Sequence, residues 1–187
     1  MQKHIPHFFT TLHIWGGIFI NKPLKHIILA GVQGVGKSYY GKKVAQEVGV
    51  PFFDVDRGIE EAYHAITGKS ITCKRLMQKG EAYFRYWEQC IIQNIPTYPP
   101  IVIALGGGTL LHPANRGILQ SLGMIIVLDM EKSLWKCNTQ WVRPYGNVWE
   151  RAFERRIKAF RKVSCTWLNV CGLQFYSLLK EIIAHHT

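Results

Sequence analysis

The fold of this 187-residue chain is decided by the stretch Gly31-Val32-Gln33-Gly34-Val35-Gly36-Lys37-Ser38. It fits the phosphate-loop pattern G-x-x-x-x-G-K-[ST]. The apolar run at residues 27–30 before it predicts a buried strand, and the spacing of residues 37–48 after it predicts a helix that ends at Gly49. A glycine-rich turn between a strand and a helix is the context in which this pattern binds nucleotide phosphates.

Each part of the motif suits a nucleotide. The glycines let backbone N–H groups turn toward phosphate oxygens, and the start of the following helix adds its positive end. Lys37 is expected to neutralise the terminal phosphates, and the Ser38 hydroxyl is expected to bind Mg²⁺. A chance glycine-rich turn is the alternative, and the motif alone leaves the phosphoryl acceptor open. The predicted nucleotide-binding residues here are Gly31, Gly34, Val35, Gly36, Lys37, Ser38 and Tyr39.

Outward from the phosphate loop, short apolar runs alternate with segments of helical spacing. Residues 132–147 have no clear period and are predicted to be a mobile loop. The alternation indicates an α/β domain, in which helices cover both faces of a parallel sheet and ligands bind beyond the carboxyl ends of the strands. Further strands are predicted at residues 52–55, 101–105, 124–129 and 165–170, and further helices at residues 56–66, 70–79, 81–94, 113–122, 149–163 and 173–185.

Two of the predicted strands end in segments that suit such a site. Asp54 and Asp56 are expected on one side of the second strand, where one could orient Mg²⁺ and the other accept a proton from an attacking hydroxyl. Asp56 is also a candidate N-cap for the helix that follows. Gly106, Gly107 and Gly108 follow the third strand, and close approach of a ligand to the backbone would explain them, with a plain loop as the alternative.

The composition indicates a folded core and an anionic partner. Hydrophobic residues make up 48% of the chain, and the formal net charge is +11. Nine basic residues lie between residues 132 and 162, most of them expected on a solvated helix face. Nucleic acid, an anionic membrane and a phosphorylated small molecule would each suit this charge. Five cysteines without a CxxC pair predict reduced thiols in a cytosolic protein, and no run reaches the ~20 apolar residues of a membrane helix.

The motifs taken together resemble the shikimate kinase family over about residues 25–185. In order, they are GxxGxGKS at residues 31–38, Asp-x-Asp at residues 54–56, GEAYFR at residues 80–85, the triple glycine and Arg143-Pro144. The resemblance implies a P-loop, NMP-kinase-like three-layer sandwich at residues 25–187. It implies a five-stranded parallel sheet of order 2-3-1-4-5, flanking helices and a mobile lid at about residues 132–147. Residues 1–24 would be a poorly ordered extension.

The resemblance also implies an activity. The family transfers the γ-phosphoryl group of ATP to the 3-hydroxyl of shikimate, giving shikimate 3-phosphate and ADP in aromatic amino acid biosynthesis. For this chain it implies a cytoplasmic, monomeric ATP-dependent kinase that uses Mg²⁺. Its partners would be ATP and shikimate, with neither nucleic acid nor a membrane among them.

Roles within the site are implied position by position. Asp56 should hold the shikimate hydroxyls and act as the base, while Asp54 should support the Mg²⁺ shell. Arg85 and Arg156 should bind the shikimate carboxylate, since two guanidinium forks suit a small carboxylate. Gly107 should offer its backbone N–H. The residues implied to bind shikimate are Asp56, Arg85, Gly106, Gly107, Gly108 and Arg156.

Arg143 and Lys136 belong to the implied lid. Arg143 resembles the lid arginine that reaches the transferring phosphoryl group, and it would complete a catalytic set with Lys37 and Asp56. Lys136 stands about where an arginine usually stacks on adenine, which a lysine cannot do in the same way. The closed lid would exclude water from the reaction.

Two other functions fit parts of the sequence. Another small-molecule P-loop kinase, such as a gluconate or NMP kinase, would share residues 31–38 but leave Arg85, the triple glycine and Arg156 unexplained. A nucleic-acid-binding protein would suit the net charge. It would, however, need basic and aromatic residues interleaved on an open surface, and three aromatic residues near the basic segment are a weak form of that pattern.

Overall fold

The computed structural model describes residues 14–15, 18–19, 25–138, 149–163 and 165–187, with the backbone alone at residues 14–15, 18–19 and 136–138. Strands β1 (Ile14–Trp15) and β2 (Ile18–Phe19) pair in a two-residue antiparallel ladder. The rest of residues 1–24 lies outside the described residues. The expectation that this extension is poorly ordered therefore stays a prediction.

Five parallel strands form the central sheet. Their order across the sheet is β4-β5-β3-β6-β7. Counted within this sheet alone, that order is 2-3-1-4-5, which confirms the predicted fold class. In chain order the strands are β3 (His26–Ala30), β4 (Phe52–Asp54), β5 (Val102–Ala104), β6 (Gly123–Asp129) and β7 (Cys165–Asn169).

The middle strand β3 anchors the sheet and the phosphate loop. All five of its residues are buried, as expected for a parallel strand covered on both faces. Ile28 pairs with Ile103 of β5 on one side and Ile125 of β6 on the other. The loop that follows Ala30 therefore starts from the best-packed part of the core.

Helices flank the sheet. One group contains the first and last helices, where the rings of Tyr40 and Phe175 meet edge to face with centroids 5.0 Å apart. A short 3₁₀ helix, Thr109–Leu111, follows β5. The α-helices of the described residues are α1 (Lys37–Val48), α2 (Val55–Thr67), α3 (Cys73–Lys79), α4 (Glu81–Gln93), α5 (Pro113–Leu122), α6 (Lys132–Asn138), α7 (Trp149–Phe160) and α8 (Phe175–His186).

The junction between β4 and α2 differs from the prediction. Val55 belongs to the helix, because Asp54 is its N-cap and accepts a hydrogen bond from the Arg57 N–H at 3.2 Å. The cap expected at Asp56 was therefore wrong by two residues. Asp56 lies in the first helical turn, so the alternation of a strand is not what brings the two carboxylates together.

The segment predicted as a mobile loop begins with a helix. Residues 132–138 form α6, in which the Trp135 side chain is buried and lies 5.7 Å from the Trp149 ring and 5.2 Å from the Phe153 ring. Packing against α7 thus fixes a segment whose sequence carries no helical period. Residues 139–148 lie outside the described residues, and the mobility of a lid there stays a prediction.

Candidate active site

A cavity of about 1060 Å³ lies beyond the carboxyl ends of β3, β4 and β5. The phosphate loop forms one side, the Asp54–Asp56 segment and α4 form another, and the triple glycine and α7 close it. The structure thus brings together residues that are far apart in the sequence. Those predicted residues that line the cavity are Gly34, Gly36, Lys37, Ser38, Tyr39, Asp54, Asp56, Arg85, Gly106, Gly107, Gly108 and Arg156.

Lys37 lies folded over its own loop. Its Nζ donates to the carbonyl oxygens of Gly31 and Val32, both at 3.0 Å. Burial lowers the pKa of Lys37 to about 8, although the carboxylates of Asp56 and Asp54 favour its charged form. The ammonium is therefore held at the point where a phosphate group would replace the two carbonyls as its partner.

Ser38 and Asp54 form a pair of oxygen donors. The Ser38 hydroxyl donates to Asp54 Oδ2 at 2.5 Å, so the start of α1 is joined to the end of β4. A hydroxyl and a carboxylate are hard ligands of the kind Mg²⁺ takes from proteins, while water and nucleotide phosphates supply the rest. Among the described residues there is no group of three or more His, Cys, Asp and Glu that could hold a metal without such help. The donor set thus fits a nucleotide-bound Mg²⁺.

Asp56 is a carboxylate with a raised proton affinity. Burial raises its pKa to about 6, the neighbouring charge of Asp54 adds to the rise, and Lys37 opposes it. A carboxylate with such a pKa is suited to accept a proton near neutral pH. At Gly106 a Cβ atom would lie 2.8 Å from Asp56 Oδ1, so a side chain there would displace this carboxylate.

Arg85 is held by carboxylates of its own helix. Its Nη1 donates to Glu88 Oε2 at 2.7 Å, and its Nη2 lies 3.6 Å from Glu81 Oε1. Only 11% of the Arg85 side chain is exposed. The guanidinium therefore sits at the cavity wall in a fixed orientation and is largely shielded from water.

Glu88 is a site residue that the sequence analysis missed. It is fully buried, and its Oε1 accepts a hydrogen bond from the Thr109 hydroxyl at 2.7 Å. Asn115 Nδ2 also donates to Glu88 Oε2 at 3.4 Å. A buried carboxylate must be paired, and here it joins Arg85 of α4 to the turn after the triple glycine. The signal in the sequence was its position three residues after Arg85 on one helix face.

Arg156 is held by backbone carbonyls. Its Nε donates to the Gly107 oxygen at 3.0 Å and its Nη1 to the Ala152 oxygen at 2.8 Å. The side chain is buried within the cavity wall. Gly107 therefore contributes its carbonyl to the site as an anchor for Arg156, in addition to the N–H that the resemblance assigns to ligand binding.

The triple glycine runs through the centre of these groups. A Cβ at Gly107 would lie 3.0 Å from the Gln33 nitrogen, and one at Gly108 would lie 2.8 Å from Arg85 Nη2. Together with Gly106 against Asp56, each glycine faces a different part of the site. The close approach that three glycines predicted is thus made to protein groups around the cavity.

Trp135 connects α6 to the phosphate loop. Its Nε1 donates to the Gln33 oxygen at 2.6 Å, and its ring packs between α6 and α7. The sequence analysis missed this contact, because a tryptophan in a segment without period carries no signal of its partner. The carbonyl orientation at Gln33 is fixed by this indole.

Two of the predicted residues that the structure describes, Gly31 and Val35, do not line the cavity. Gly31 and Val35 shape the loop from below: Val35 is in the core, and a Cβ at Gly31 would lie 2.5 Å from the Leu128 oxygen. Gly31 has φ 143°, a conformation that favours glycine. Arg143 and the Lys136 side chain lie outside the described residues, so their lid roles stay predictions.

Comparison with known proteins identifies the family. The model of the shikimate kinase family matches residues 33–165, which include most of the phosphate loop, the triple glycine and Arg156. The chain belongs to the shikimate kinase family. This membership favours a shikimate kinase over another small-molecule P-loop kinase and over a nucleic-acid-binding protein.

Two curated shikimate kinases illustrate the similarity. The enzyme of Deinococcus radiodurans is 38% identical over 109 residues, covering 58% of this chain and 53% of that protein. Shikimate kinase 1 of Hamiltonella defensa is 34% identical over 122 residues, covering 64% of this chain and 68% of that protein. The chain thus spans about half to two thirds of the length of these shikimate kinases.

Solved shikimate kinases share the fold. A structure described as shikimate kinase from Acinetobacter baumannii in complex with shikimate superposes with a TM-score of 0.70 and 25% identity, covering 86% of this chain and 91% of that one. The shikimate kinase of Aquifex aeolicus gives a TM-score of 0.68 at 23% identity, covering 86% of this chain and 95% of that one.

Within the described ranges, no helix is both long and apolar enough to cross a membrane.

Proposed function

We propose that this protein is a shikimate kinase, which transfers the γ-phosphoryl group of ATP to the 3-hydroxyl of shikimate and releases shikimate 3-phosphate and ADP. The observation that carries the proposal is the single cavity at which the phosphate loop, a proton-accepting carboxylate and two arginines meet. Membership of the shikimate kinase family supports it. So does the likeness to the A. baumannii enzyme, whose structure is described as a complex with shikimate.

The acceptor would be oriented by its carboxylate. Arg85 and Arg156 both line the cavity and are mostly shielded from water. In such surroundings a guanidinium attracts a carboxylate more strongly than it does in bulk solvent, and its fork offers two parallel hydrogen bonds. The Gly107 N–H would be a further donor to the acceptor. The hydroxyl groups at the other end of shikimate would then point toward Asp56.

The nucleotide would occupy the phosphate loop. The Lys37 ammonium would turn from the carbonyls of Gly31 and Val32 to the β- and γ-phosphates, with which it would form stronger charge-assisted bonds. Ser38 and Asp54 would hold Mg²⁺, which would neutralise developing charge on the phosphates. Tyr39 and Lys136 would contact the nucleotide at the cavity mouth.

Asp56 would move the proton. At pH 7 a group of pKa about 6 is mainly ionised, so its carboxylate can accept the proton of the 3-hydroxyl as the oxygen attacks phosphorus. Arg143 would approach the transferring phosphoryl group from the lid and stabilise its charge. A closed lid would also limit the competing attack of water on ATP.

The proposal extends to the setting of the enzyme. We expect a cytoplasmic monomer that needs Mg²⁺, and whose partners are its two substrates rather than nucleic acid or a membrane. The cysteines of the described structure, Cys73, Cys90, Cys165 and Cys171, are free thiols. Free thiols are typical of proteins in a reducing compartment, which supports this expectation. The net charge of +11 suits two anionic substrates.

The test is ADP release from Mg-ATP by the purified protein with and without shikimate, with gluconate and AMP as control acceptors. Strong stimulation by shikimate alone is expected. Stimulation by gluconate or AMP would keep the phosphate-loop kinase and reject the acceptor. Omitting Mg²⁺ should abolish the stimulated rate, because the metal completes the charge neutralisation of the phosphates.

A further inference from the structure

A row of basic side chains on α7 is only partly used by the proposed reaction. Arg151, Arg155, Lys158 and Lys162 follow one another at spacings of four, three and four residues, which places them on one helix face. The helical turn continues past Phe160, because the Lys162 N–H donates to the Ala159 oxygen at 3.1 Å. All four side chains are exposed.

Beside this row lies a second cavity of about 510 Å³. Its opposite wall comes from the turn before α5 and from α5 itself, where Leu111, Pro113 and Arg116 line it. Arg116 is fixed there, since its Nη1 donates to the carbonyl oxygens of Leu110 at 2.8 Å and Leu111 at 3.2 Å. The volume is within the range of small-molecule sites, roughly 300–1,000 Å³.

The charge in this cavity is unbalanced. Of the described side chains, five cationic ones line it with one carboxylate, that of Glu154. This carboxylate lies 3.4 Å from the ammonium of Lys132, which is not among the lining residues. Among the side chains that the structure describes, none of Arg151, Arg155, Lys158 and Lys162 takes part in an ion pair. Like charges at these spacings repel one another, and a bound anion would offset the repulsion.

We propose that this second cavity is an anion site for a small molecule with at least two phosphate or carboxylate groups. Several cations facing one space favour a ligand with more than one charge, and the arginine forks suit both kinds of oxyanion. Among the described residues of the lining, none has an aromatic side chain on which a base could stack. The concave shape also suits a metabolite better than an extended nucleic acid.

The second cavity is distinct from the candidate active site yet adjoins it. Lys158 and Lys162 line only the second cavity, whereas Arg151 and Arg155 line both. An occupant would therefore share two guanidinium groups with the acceptor side of the active site. Variants of the two lysines test the second site without altering a residue of the first.

The experiment is a titration of the full chain followed by amide NMR, with citrate in one arm and pyrophosphate in the other. Sodium chloride at equal ionic strength is the salt control. Amides at residues 158–162 report the second cavity, and amides at residues 33–38 report the phosphate loop. We expect saturable shifts at residues 158–162 in at least one arm, and the arm that binds more tightly identifies the preferred oxyanion.

Charge removal supplies the matched comparison. The double variant Lys158→Ala/Lys162→Ala should weaken this binding by about tenfold or more, since it removes two charged donors. The double variant Lys42→Ala/Lys69→Ala removes the same charge from exposed positions outside both cavities and should leave the affinity unchanged. Because all four lysines are exposed, both variants should keep the dispersed spectrum of the folded chain.

Three outcomes would overturn the proposal: shifts that sodium chloride reproduces, shifts confined to residues 33–38, or equal affinities in the two double variants. A single-stranded oligonucleotide that shifts residues 158–162 when neither small anion does would assign this face to nucleic acid instead. The readout is binding at named amides and needs no turnover. Failure of the shikimate kinase proposal would therefore leave this result interpretable.

Discussion

The proposed nucleotide side and the proposed acceptor side of the cavity are built in different ways. The nucleotide side comes from one continuous stretch, residues 31–38, in which Lys37 is held by carbonyls of its own loop. The acceptor side is assembled from α2, α4, the triple glycine and α7, and Glu88 is buried where they meet. A change on the first side should act locally, whereas a change on the second should also disturb its neighbours.

Removing Lys37 from the phosphate loop should have the largest effect on activity. Lys37→Ala should lower kcat/KM by about 10³-fold, because the transferring phosphates lose their protein cation. ADP release in the presence of shikimate measures it. Lys42→Ala, on the exposed face of the same helix, is the control and should keep full activity. A Lys37→Ala enzyme within tenfold of the parent would contradict the nucleotide site.

The next largest effect is expected at the proton acceptor. Asp56→Asn should lower kcat by about 10²-fold, since the amide cannot take the hydroxyl proton, while KM for ATP changes little. Steady-state kinetics with each substrate varied in turn will separate the two constants. An equal loss in ATP binding would argue instead that Asp56 holds the metal.

On the proposed acceptor side, the buried carboxylate of Glu88 can be compared with the exposed carboxylate of Glu81, since both pair with Arg85. Glu88→Gln should raise KM for shikimate by about tenfold and lower the free energy of unfolding by about 3 kcal/mol, because Arg85 loses a buried partner. Glu81→Gln removes the exposed partner at 3.6 Å and should change stability by less than about 0.5 kcal/mol.

Both quantities are needed to interpret the Glu88 variant. Denaturant unfolding gives the stability, and initial rates at varied shikimate give KM. If Glu88→Gln lost stability with an unchanged KM, Glu88 would serve the fold alone. If Glu81→Gln matched it in both, the distinction between a buried and an exposed partner would be wrong.

The contact between the lid side and the phosphate loop should give a smaller effect. Trp135→Phe keeps an aromatic ring against Trp149 and Phe153 but removes the donor to the Gln33 carbonyl. We expect KM for ATP to rise about fivefold, the loss of one hydrogen bond, with KM for shikimate unchanged. Trp167→Phe makes the same chemical change on the edge strand β7, two strands away from β3, and should alter neither constant.

The pH profile should show the smallest and most gradual effect. In the proposed mechanism the ionised form of Asp56 accepts the proton, so kcat/KM should rise as pH increases through about 6 and fall above about 8, where Lys37 loses its proton. In Asp56→Asn the residual rate should lose the lower limb. A lower limb that persists in this variant would belong to the substrate or to another group.

Ionisation of Asp56 should lower the free energy of unfolding of the ligand-free protein, whereas it should raise kcat/KM. Its folded-state pKa is raised above the ordinary value of 3.8, so the folded state binds this proton more tightly than the unfolded state. Between pH 4 and 6 the contribution of this group therefore becomes less favourable as pH rises. Comparing unfolding of the parent and Asp56→Asn across this range isolates it.

The sequence predicted most where one continuous segment carries the information. The phosphate loop and the helix after it follow from residues close in the chain, and the strands follow from short apolar runs. The order of the strands came only from the resemblance to the shikimate kinase family. Aspartate is a good N-cap residue, and Asp56 was the candidate named from the sequence. In the structure the N-cap is Asp54, two residues earlier.

What the sequence did not predict depends on contacts between distant segments. The role of Glu88 can be recognised only in the fold, where Thr109 and Asn115 donate hydrogen bonds to its carboxylate. Helix α6 forms because Trp135 packs against α7. A hydrogen bond between residues 135 and 33 leaves no trace in either local pattern. Tertiary packing supplies these parts of the site, as it does wherever local propensity is weak.

The three glycines restrict the paths by which this site can evolve. Any added methyl group at residues 106–108 would press on the carboxylate of Asp56, the backbone of Gln33 or the guanidinium of Arg85. A descendant that adopts a bulkier or smaller acceptor is therefore expected to keep this segment and to vary the opposite rim. Met77 and Gln78 of α3 also line the cavity and are candidates for such changes. Adaptation there can reshape the acceptor pocket one residue at a time while the reaction chemistry is inherited intact.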